Sequence, residues 1–147
     1  MPDDDNANGA RNGSAGGDAA PRGELAVRTL AMPADANPAG DIFGGWIMSQ
    51  MDIAGGMAAS QLARGRVVTV AVTDMTFHRP VQVGDIVCCY TEPVHRGRTS
   101  LRLHVEAWVL RQRQAGRFKV TQAEFTFVAI DAAGRPRAWQ ATDQTLA

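Results

Sequence analysis

The chain has 147 residues, 45% of them apolar, which suffices for one domain with a single hydrophobic core. Fifteen Lys and Arg residues balance fifteen Asp and Glu residues, so the protein has no net positive charge with which to attract nucleic acid or an anionic membrane. No apolar run reaches the roughly 18 residues of a membrane-spanning helix, and the acidic start lacks the apolar segment of a secretory signal, so we expect a cytoplasmic protein without membrane insertion.

The chain divides into three parts by composition. Residues 1–22 are rich in Asp, Asn and Gly and contain little that could pack, which predicts a disordered N-terminal lead-in. The folded domain is predicted over residues 23–140, and it begins with a short strand over residues 25–30. Residues 141–147 are expected to form a flexible tail.

One long helix is predicted over residues 44–62. This segment has no proline, and its apolar residues recur at intervals of three and four, as in a helix that packs one face on a core. The residues of this stripe are Ile47, Met51, Ala54, Ala58 and Leu62. The preceding Asp41 is expected to cap the helix through its side-chain oxygens.

Four strands are predicted after the helix, over residues 66–77, 85–94, 99–110 and 118–130. Gly97 and Gly116 mark hairpin turns between them. This order predicts an α+β domain in which one long central helix is wrapped by an antiparallel sheet of about five strands. The second and third of these strands are long to leave unpaired at an edge, so we expect a dimer or a larger assembly.

Cysteine and histidine give no sign of a disulfide or of a metal centre. Cys88 and Cys89 are adjacent within a predicted strand, where neighbouring side chains point to opposite faces and are poorly placed to bridge. His78, His95 and His104 lack the spacing of zinc ligands. We therefore expect no metal and no other cofactor.

Gly44 and Gly45 open the predicted helix, which places unpaired backbone N–H groups at its positive end with no side chain in the way. Such a helix start suits a carbonyl oxygen that becomes an oxyanion during a reaction, or a phosphate. The alternative is that the two glycines only allow the helix to pack tightly on the sheet.

Two polar residues lie where they could act with this helix start. Asp52 lies two turns into the helix at the edge of its apolar face, where a partly buried carboxylate suits general-base or nucleophilic work. The alternative for Asp52 is a surface aspartate with one flank on the core. Asn37, in the preceding loop, could donate a hydrogen bond to a substrate carbonyl or hold a water, or it could serve only an Asx-turn with Pro38.

With these residues the sequence resembles the YciA-type acyl-CoA thioesterases of the hotdog-fold superfamily. The likeness extends from about residue 25 to residue 137 and rests on Thr29-Leu30-Ala31-Met32-Pro33, Asn37, Gly40-Asp41-Ile42-Phe43-Gly44-Gly45-Trp46, Met51-Asp52, Gly65-Arg66-Val67-Val68-Thr69, Phe77-His78-Arg79-Pro80-Val81 and Gly97-Arg98-Thr99-Ser100. The resemblance implies a hotdog fold and the hydrolysis of acyl-CoA to a free carboxylic acid and CoA, with a broad range of acyl chains and no cofactor.

The resemblance also implies roles for single residues. Asp52 matches the catalytic carboxylate of the family, Asn37 the loop amide that acts with it across a subunit interface, and Gly44 and Gly45 the backbone donors. The family forms dimers whose helices lie side by side within one continuous sheet, and these commonly pack as a trimer of dimers, so a homohexamer is expected. The residues leave open whether Asp52 activates a water or attacks the thioester to give an anhydride.

The phosphates of CoA require local arginines in a neutral protein. The candidates are Arg98 with Thr99 and Ser100 at a hairpin turn, Arg66 after the helix, and Arg79. The turn ranks first because it offers hydroxyl and N–H groups together. Each arginine could instead be a solvated surface charge.

The sequence leaves two alternative functions to consider. A hotdog dehydratase acting on a carrier-bound acyl chain would need a catalytic histidine near the loop and helix, and none precedes Phe77. A non-catalytic acyl-CoA binding or sensing protein would have no use for Asp52. The chain has no Gly-x-Ser-x-Gly elbow, and a thioester needs none because its thiolate departs readily near neutral pH.

Overall fold

The computed structural model describes residues 20–140 of the chain. This part contains five strands and one long helix. In chain order they are β1 (Glu24–Leu30), α1 (Gly44–Ala63), β2 (Val67–Thr73), β3 (Ile86–Arg96), β4 (Ser100–Leu110) and β5 (Phe118–Ala129). All predicted elements are present, and the largest difference is that β2 ends at Thr73 and not at residue 77. A one-turn 3-10 helix, Pro33–Asp35, is an addition to them. The predicted tail over 141–147, and the predicted lead-in up to residue 19, lie outside the described residues.

All strand pairs of the sheet are antiparallel, in the order β1-β3-β4-β5-β2. The prediction that β3 and β4 lie unpaired at an edge is therefore wrong, because β1 covers the free side of β3 and β5 covers that of β4. The edges of the sheet are β1 and β2. Any pairing of this sheet with a second copy therefore involves one of those two strands.

One face of α1 packs on the sheet, and its buried residues are Ile47, Met51, Ala54, Gly55, Ala59 and Ala63. The last two residues of the predicted stripe, Ala58 and Leu62, are only partly buried. The helix lies close to the sheet at Gly55, where a Cβ would be 2.9 Å from the ring of Phe127. A glycine is thus required at this contact. Within residues 20–140, no helix is both long and apolar enough to cross a membrane.

The face of β4 that points away from α1 is buried as well, and it carries a charge. His104, Glu106 and Trp108 alternate with the residues that face the helix, and each is at most 6% exposed. Glu106 Oε1 accepts hydrogen bonds from Trp108 Nε1 at 2.8 Å and from the backbone N–H of Arg22 at 3.1 Å, and Oε2 lies 2.7 Å from His104 Nε2. Burial raises the pKa of Glu106, but these hydrogen bonds outweigh it and hold the pKa below its usual value.

Replacing Glu106 by glutamine is expected to lower the free energy of unfolding by about 2–4 kcal/mol near pH 7, because the buried groups then bond a neutral amide, which has one acceptor oxygen and an NH2 group in place of the charged carboxylate. Since folding lowers the pKa of Glu106, its contribution is fully present above the unfolded-state pKa of about 4.3 and is lost as pH falls through the folded-state pKa. Urea unfolding at several pH values should therefore show the gap between parent and variant closing on acidification.

The matched control for this experiment is Glu124→Gln, because the carboxylate of Glu124 lies on the neighbouring strand and is 41% exposed. This substitution should change the free energy of unfolding by less than about 1 kcal/mol at every pH. A gap for Glu106→Gln that is the same at neutral and at acidic pH would contradict the assignment of a buried charge.

Arg22 attaches the start of the described chain to the buried face of β4. Beside its backbone bond to Glu106, its guanidinium pairs with the carboxylate of Glu92 on β3. We therefore expect the folded domain to include Arg22, although the lead-in was predicted to reach residue 22. Deleting residues 1–19 should leave Tm unchanged, whereas deleting residues 1–22 should lower Tm by at least about 5 °C through loss of a hydrogen bond to a buried charge. Equal Tm values for the two truncated proteins would rule out this attachment.

Candidate active site

α1 begins at Gly44, as predicted, and the backbone N–H groups of its first two residues make no hydrogen bond within residues 20–140. Phe43, the residue before the helix, makes no side-chain capping hydrogen bond, so the prediction that Asp41 caps the helix is wrong. The N–H groups of Trp46 and Ile47 donate to the Phe43 carbonyl oxygen at 3.1 and 3.3 Å. Those of Gly44 and Gly45 have no partner among residues 20–140, so they can donate to a ligand.

Packing within the chain does not explain why the helix opens with two glycines. A Cβ at Gly45 would meet no atom within 4 Å, and one at Gly44 would lie 3.5 Å from the Phe77 ring, which is an ordinary contact. Neither residue has a positive φ. What the two glycines provide is open access to their N–H groups, which favours the ligand-binding interpretation over the packing one.

A cavity of about 290 Å³ lies at this helix start, lined by Asp41, Ile42, Gly44, Ile47, Phe77, His78, Arg79, Pro80 and Val81. Arg79, a predicted phosphate contact, is exposed and lies over the Phe118 ring with its Cζ 4.6 Å from the ring centroid. It forms no ion pair within residues 20–140. His78 also lines the cavity, although the sequence predicted no catalytic or binding role for it.

Asn37 lies in the loop between β1 and α1, and the Asx-turn predicted for it is formed. Its Oδ1 accepts hydrogen bonds from the backbone N–H groups of Ala39 at 2.9 Å and Asp41 at 3.2 Å. These bonds hold the side chain by its oxygen, while Nδ2 has no partner in the described part of the chain. The turn role therefore leaves the amide N–H groups of Asn37 able to donate to a substrate.

Asp52 is half-buried on the side of α1 that faces β2. Its Oδ1 accepts a hydrogen bond from Thr69 Oγ1 at 2.6 Å, and its Oδ2 has no partner among the described residues. One carboxylate oxygen is therefore held, and the other can meet a water or a substrate. Thr69 is a further residue that the sequence did not single out, because only the folded chain brings it next to Asp52.

One protomer does not bring Asp52 together with the free N–H groups of its own helix. Asp52 follows Gly44 by eight residues, which is roughly 12 Å along the helix axis. A base and an oxyanion donor that act on one carbonyl group must each lie about 3 Å from the atoms with which they react. A site that uses both features therefore requires a second copy of the chain.

The remaining predicted phosphate contacts lie at the other end of α1. Arg98 and Thr99 lie in the turn between β3 and β4, Ser100 is the first residue of β4, and Arg66 follows the helix. Arg66 adjoins the turn, because two consecutive N–H groups at the end of β5 donate to the carbonyl oxygens of Thr99 at 2.8 Å and of Arg66 at 3.0 Å. The 20 residues of α1, roughly 30 Å, separate this group from Arg79. The predicted phosphate contacts of one protomer thus lie at opposite ends of α1.

The edge strand β2 presents an apolar surface beside Asp52. Val68, Val70 and Val72 are 40%, 55% and 38% exposed, and Ile53 on α1 is 50% exposed. Sheet edges in monomeric proteins usually avoid such a combination of unpaired backbone groups and apolar side chains. This edge is therefore suited to pair with a second copy of the chain.

No metal centre is evident within residues 20–140, where no group of three or more His, Cys, Asp or Glu side chains is placed to hold an ion. Cys88 and Cys89 are buried and form no disulfide. Burial, with the neighbouring Cys88, raises the pKa of Cys89 to about 12, so this thiol is unreactive.

Comparison with known proteins places these features in a family. A family model described as the thioesterase superfamily matches residues 39–115, just over half of the chain. The acyl-CoA thioester hydrolase YciA of Salmonella typhimurium is 56% identical over 123 residues, which cover 82% of this chain and 92% of the relative. YciA of Escherichia coli is 55% identical over 121 residues, covering 80% and 92%. The chain belongs to the YciA-type thioesterase family.

Solved structures in the thioesterase superfamily confirm the predicted hotdog fold. A hexameric thioesterase from Yersinia pestis is 54% identical with a TM-score of 0.79, covering 82% of this YciA-type chain and 98% of that one. A hexameric hotdog-fold thioesterase of Campylobacter jejuni is 39% identical with a TM-score of 0.78, covering 84% and 96%. An acyl-CoA hydrolase from Staphylococcus aureus, in complex with butyryl-CoA and CoA, is 25% identical with a TM-score of 0.71, covering 76% and 68%.

Proposed function

We propose that this YciA-type chain hydrolyses acyl-CoA thioesters to a free carboxylic acid and CoA, over a broad range of acyl chains, in the cytoplasm and without a cofactor. The 56% identity over 123 residues to an acyl-CoA thioester hydrolase carries the proposal. A solved relative that is 49% identical, with a TM-score of 0.78, is a hexameric broad-specificity acyl-coenzyme A thioesterase, which supports the breadth.

The proposed enzyme is a homo-oligomer built from dimers that pair through β2. Antiparallel pairing of two β2 strands about a twofold axis puts the Thr73 end of one beside the Val67 end of the other. The start of α1 belongs to the Thr73 end, since Phe77 lies against Gly44, and Arg66 belongs to the Val67 end. Each composite site then joins the helix start of one protomer to the opposite end of its partner. Three such dimers give a hexamer, the state of the Yersinia pestis and Campylobacter jejuni relatives.

In this composite site the thioester carbonyl oxygen accepts hydrogen bonds from the N–H groups of Gly44 and Gly45, which stabilise the negative charge that forms on it. Nδ2 of Asn37 adds a donor from the same protomer. Asp52 of the other protomer either takes a proton from a water that attacks the carbonyl carbon, or attacks that carbon itself to give an anhydride that water opens. In both routes the C–S bond breaks and its electron pair leaves on the sulfur of CoA, which needs no acid near neutral pH.

The phosphates of CoA are proposed to bind where the two protomers meet. Arg66 and the turn residues Arg98, Thr99 and Ser100 come from the protomer that supplies Asp52, and Arg79 comes from the one that supplies the helix start. The three arginines are exposed and form no ion pair within residues 20–140, so their guanidinium groups are available to phosphate oxygens.

Thiol release from a panel of acyl-CoA esters, followed with a thiol reagent, tests the proposed function. Release from several chain lengths is the expected result. Binding of acyl-CoA without thiol release would support the non-catalytic binding protein instead. Addition of water to an enoyl-CoA without thiol release would support the hotdog dehydratase, for which His78 in the cavity would be the first residue to replace.

A further inference from the structure

We propose that Thr69 is the positioning residue for Asp52, an inference that rests on the proposed function. The Thr69 hydroxyl donates to Asp52 Oδ1 at 2.6 Å, within the short range of O–H bonds to a charged acceptor. Such a bond restrains rotation of the carboxylate. It also determines which oxygen stays free, because Oδ2 has no partner among residues 20–140.

A β-bulge in β2 aims Thr69 at the helix. Thr69 lies opposite Phe127 of β5, and the register shifts before Ala71, which lies opposite Thr126. Val70 is therefore the extra residue of a bulge, a feature that often re-aims a side chain next to a site. Phe127 is part of the core under α1, so Thr69, its partner across the strands, points to the same face of the sheet as the helix.

The close approach of α1 to the sheet brings Asp52 within reach of Thr69. Gly55 lies one turn after Asp52, and a Cβ there would be 2.9 Å from the Phe127 ring. A larger residue at this position would push the helix away from the strand pair that carries Thr69 and lengthen the hydrogen bond to Asp52. The glycine contact, the bulge and the threonine hydroxyl thus act on one geometric quantity, the orientation of the Asp52 carboxylate.

This orientation matters equally in both chemical routes. Oδ2 is the oxygen that takes the proton from water in one route and forms the bond to the carbonyl carbon in the other. Without the Thr69 hydroxyl the carboxylate rotates, and the productive orientation is populated for a smaller fraction of the time. The chemical step should slow, while substrate binding, in which Thr69 has no part, should not change.

Kinetics of Thr69→Val and Thr69→Ser separate this role from a structural one. Valine keeps the shape and the β-branch of threonine and removes the hydroxyl, so we expect kcat to fall about tenfold or more with KM within about threefold of the parent. Serine restores the hydroxyl and should return kcat to within about threefold of the parent. Thr73→Val on the same strand, whose hydroxyl contacts only the Glu124 carbonyl oxygen at 3.5 Å, is the control and should change neither constant.

A second comparison uses the Asp52→Asn background, in which Thr69→Val should cause no further loss because the group it positions is gone. If valine disturbs folding or assembly, Thr69→Ala against Thr69→Ser gives the same comparison, since these variants differ by one hydroxyl oxygen. The inference is overturned if Thr69→Val matches the parent, if serine is as slow as valine, or if only KM changes. A parent that releases no thiol overturns the proposed function as well, whereas an active parent with an unaffected Thr69→Val variant overturns this inference alone.

Discussion

Asp52→Asn is expected to lower kcat for acyl-CoA hydrolysis by at least about 10², with the fold retained. Asparagine has the same shape, and its side-chain oxygen still accepts the hydrogen bond that Thr69 donates. The negative charge is lost, and with it the ability to take a proton from water or to attack the thioester carbon. Steady-state thiol release from a good acyl-CoA substrate measures the effect, and circular dichroism with a thermal scan confirms the fold.

The matched control for this substitution is Asp74→Asn, just after β2. Asp74 is exposed and has a left-handed backbone with φ of 59°, a conformation that asparagine also adopts readily. Its replacement removes one carboxylate without touching the helix start, so kcat and Tm should stay near the parent values. If Asp52→Asn remains within a few-fold of this control, Asp52 is not the catalytic carboxylate.

The elements of the fold were predictable because each has a local pattern. Apolar residues at intervals of three and four define α1, and alternation with hairpin glycines defines β3 to β5. The order of strands in the sheet was not predictable in this way, since local periodicity does not say which strands are neighbours. The interior positions of β3 and β4 therefore came only from the structure, as did the burial of both faces of β4, where the charge of Glu106 is held by side chains and by the distant Arg22.

The same distinction, between local sequence patterns and contacts made only in the folded chain, applies to the site residues. Gly44 and Gly45 could be singled out because a helix opened by glycines leaves accessible N–H groups whatever surrounds it. Thr69 and His78 could not, because their importance depends on a bulge and on a cavity that form only in the folded chain. The cap predicted at Asp41 does not form. Asp41 instead belongs to the Asx-turn, in which its backbone N–H donates to Oδ1 of Asn37, and the helix begins without a side-chain cap.

The proposed sharing of each site between two protomers predicts the second large effect, which arises from mixing two defective proteins. Asn37 and the helix start belong to one end of a protomer, and Asp52 lies roughly 12 Å along the helix from that end. In a dimer paired through β2, each site takes Asn37 from one chain and Asp52 from the other. Asn37→Ala should lower kcat about tenfold or more through loss of one donor, less than Asp52→Asn does.

Co-refolding Asn37→Ala chains with Asp52→Asn chains should then restore activity. In a heterodimer one site carries both substitutions and the other carries neither, so each heterodimer recovers up to about half of the parent activity, and a random mixture about a quarter, by counting under twofold symmetry. Native mass spectrometry confirms that heterodimers have formed, and the two variants refolded separately and then combined are the control. If the co-refolded sample contains heterodimers and yet is no more active than this control, each protomer must supply its own Asn37 and Asp52, and the helix start and the carboxylate belong to different sites.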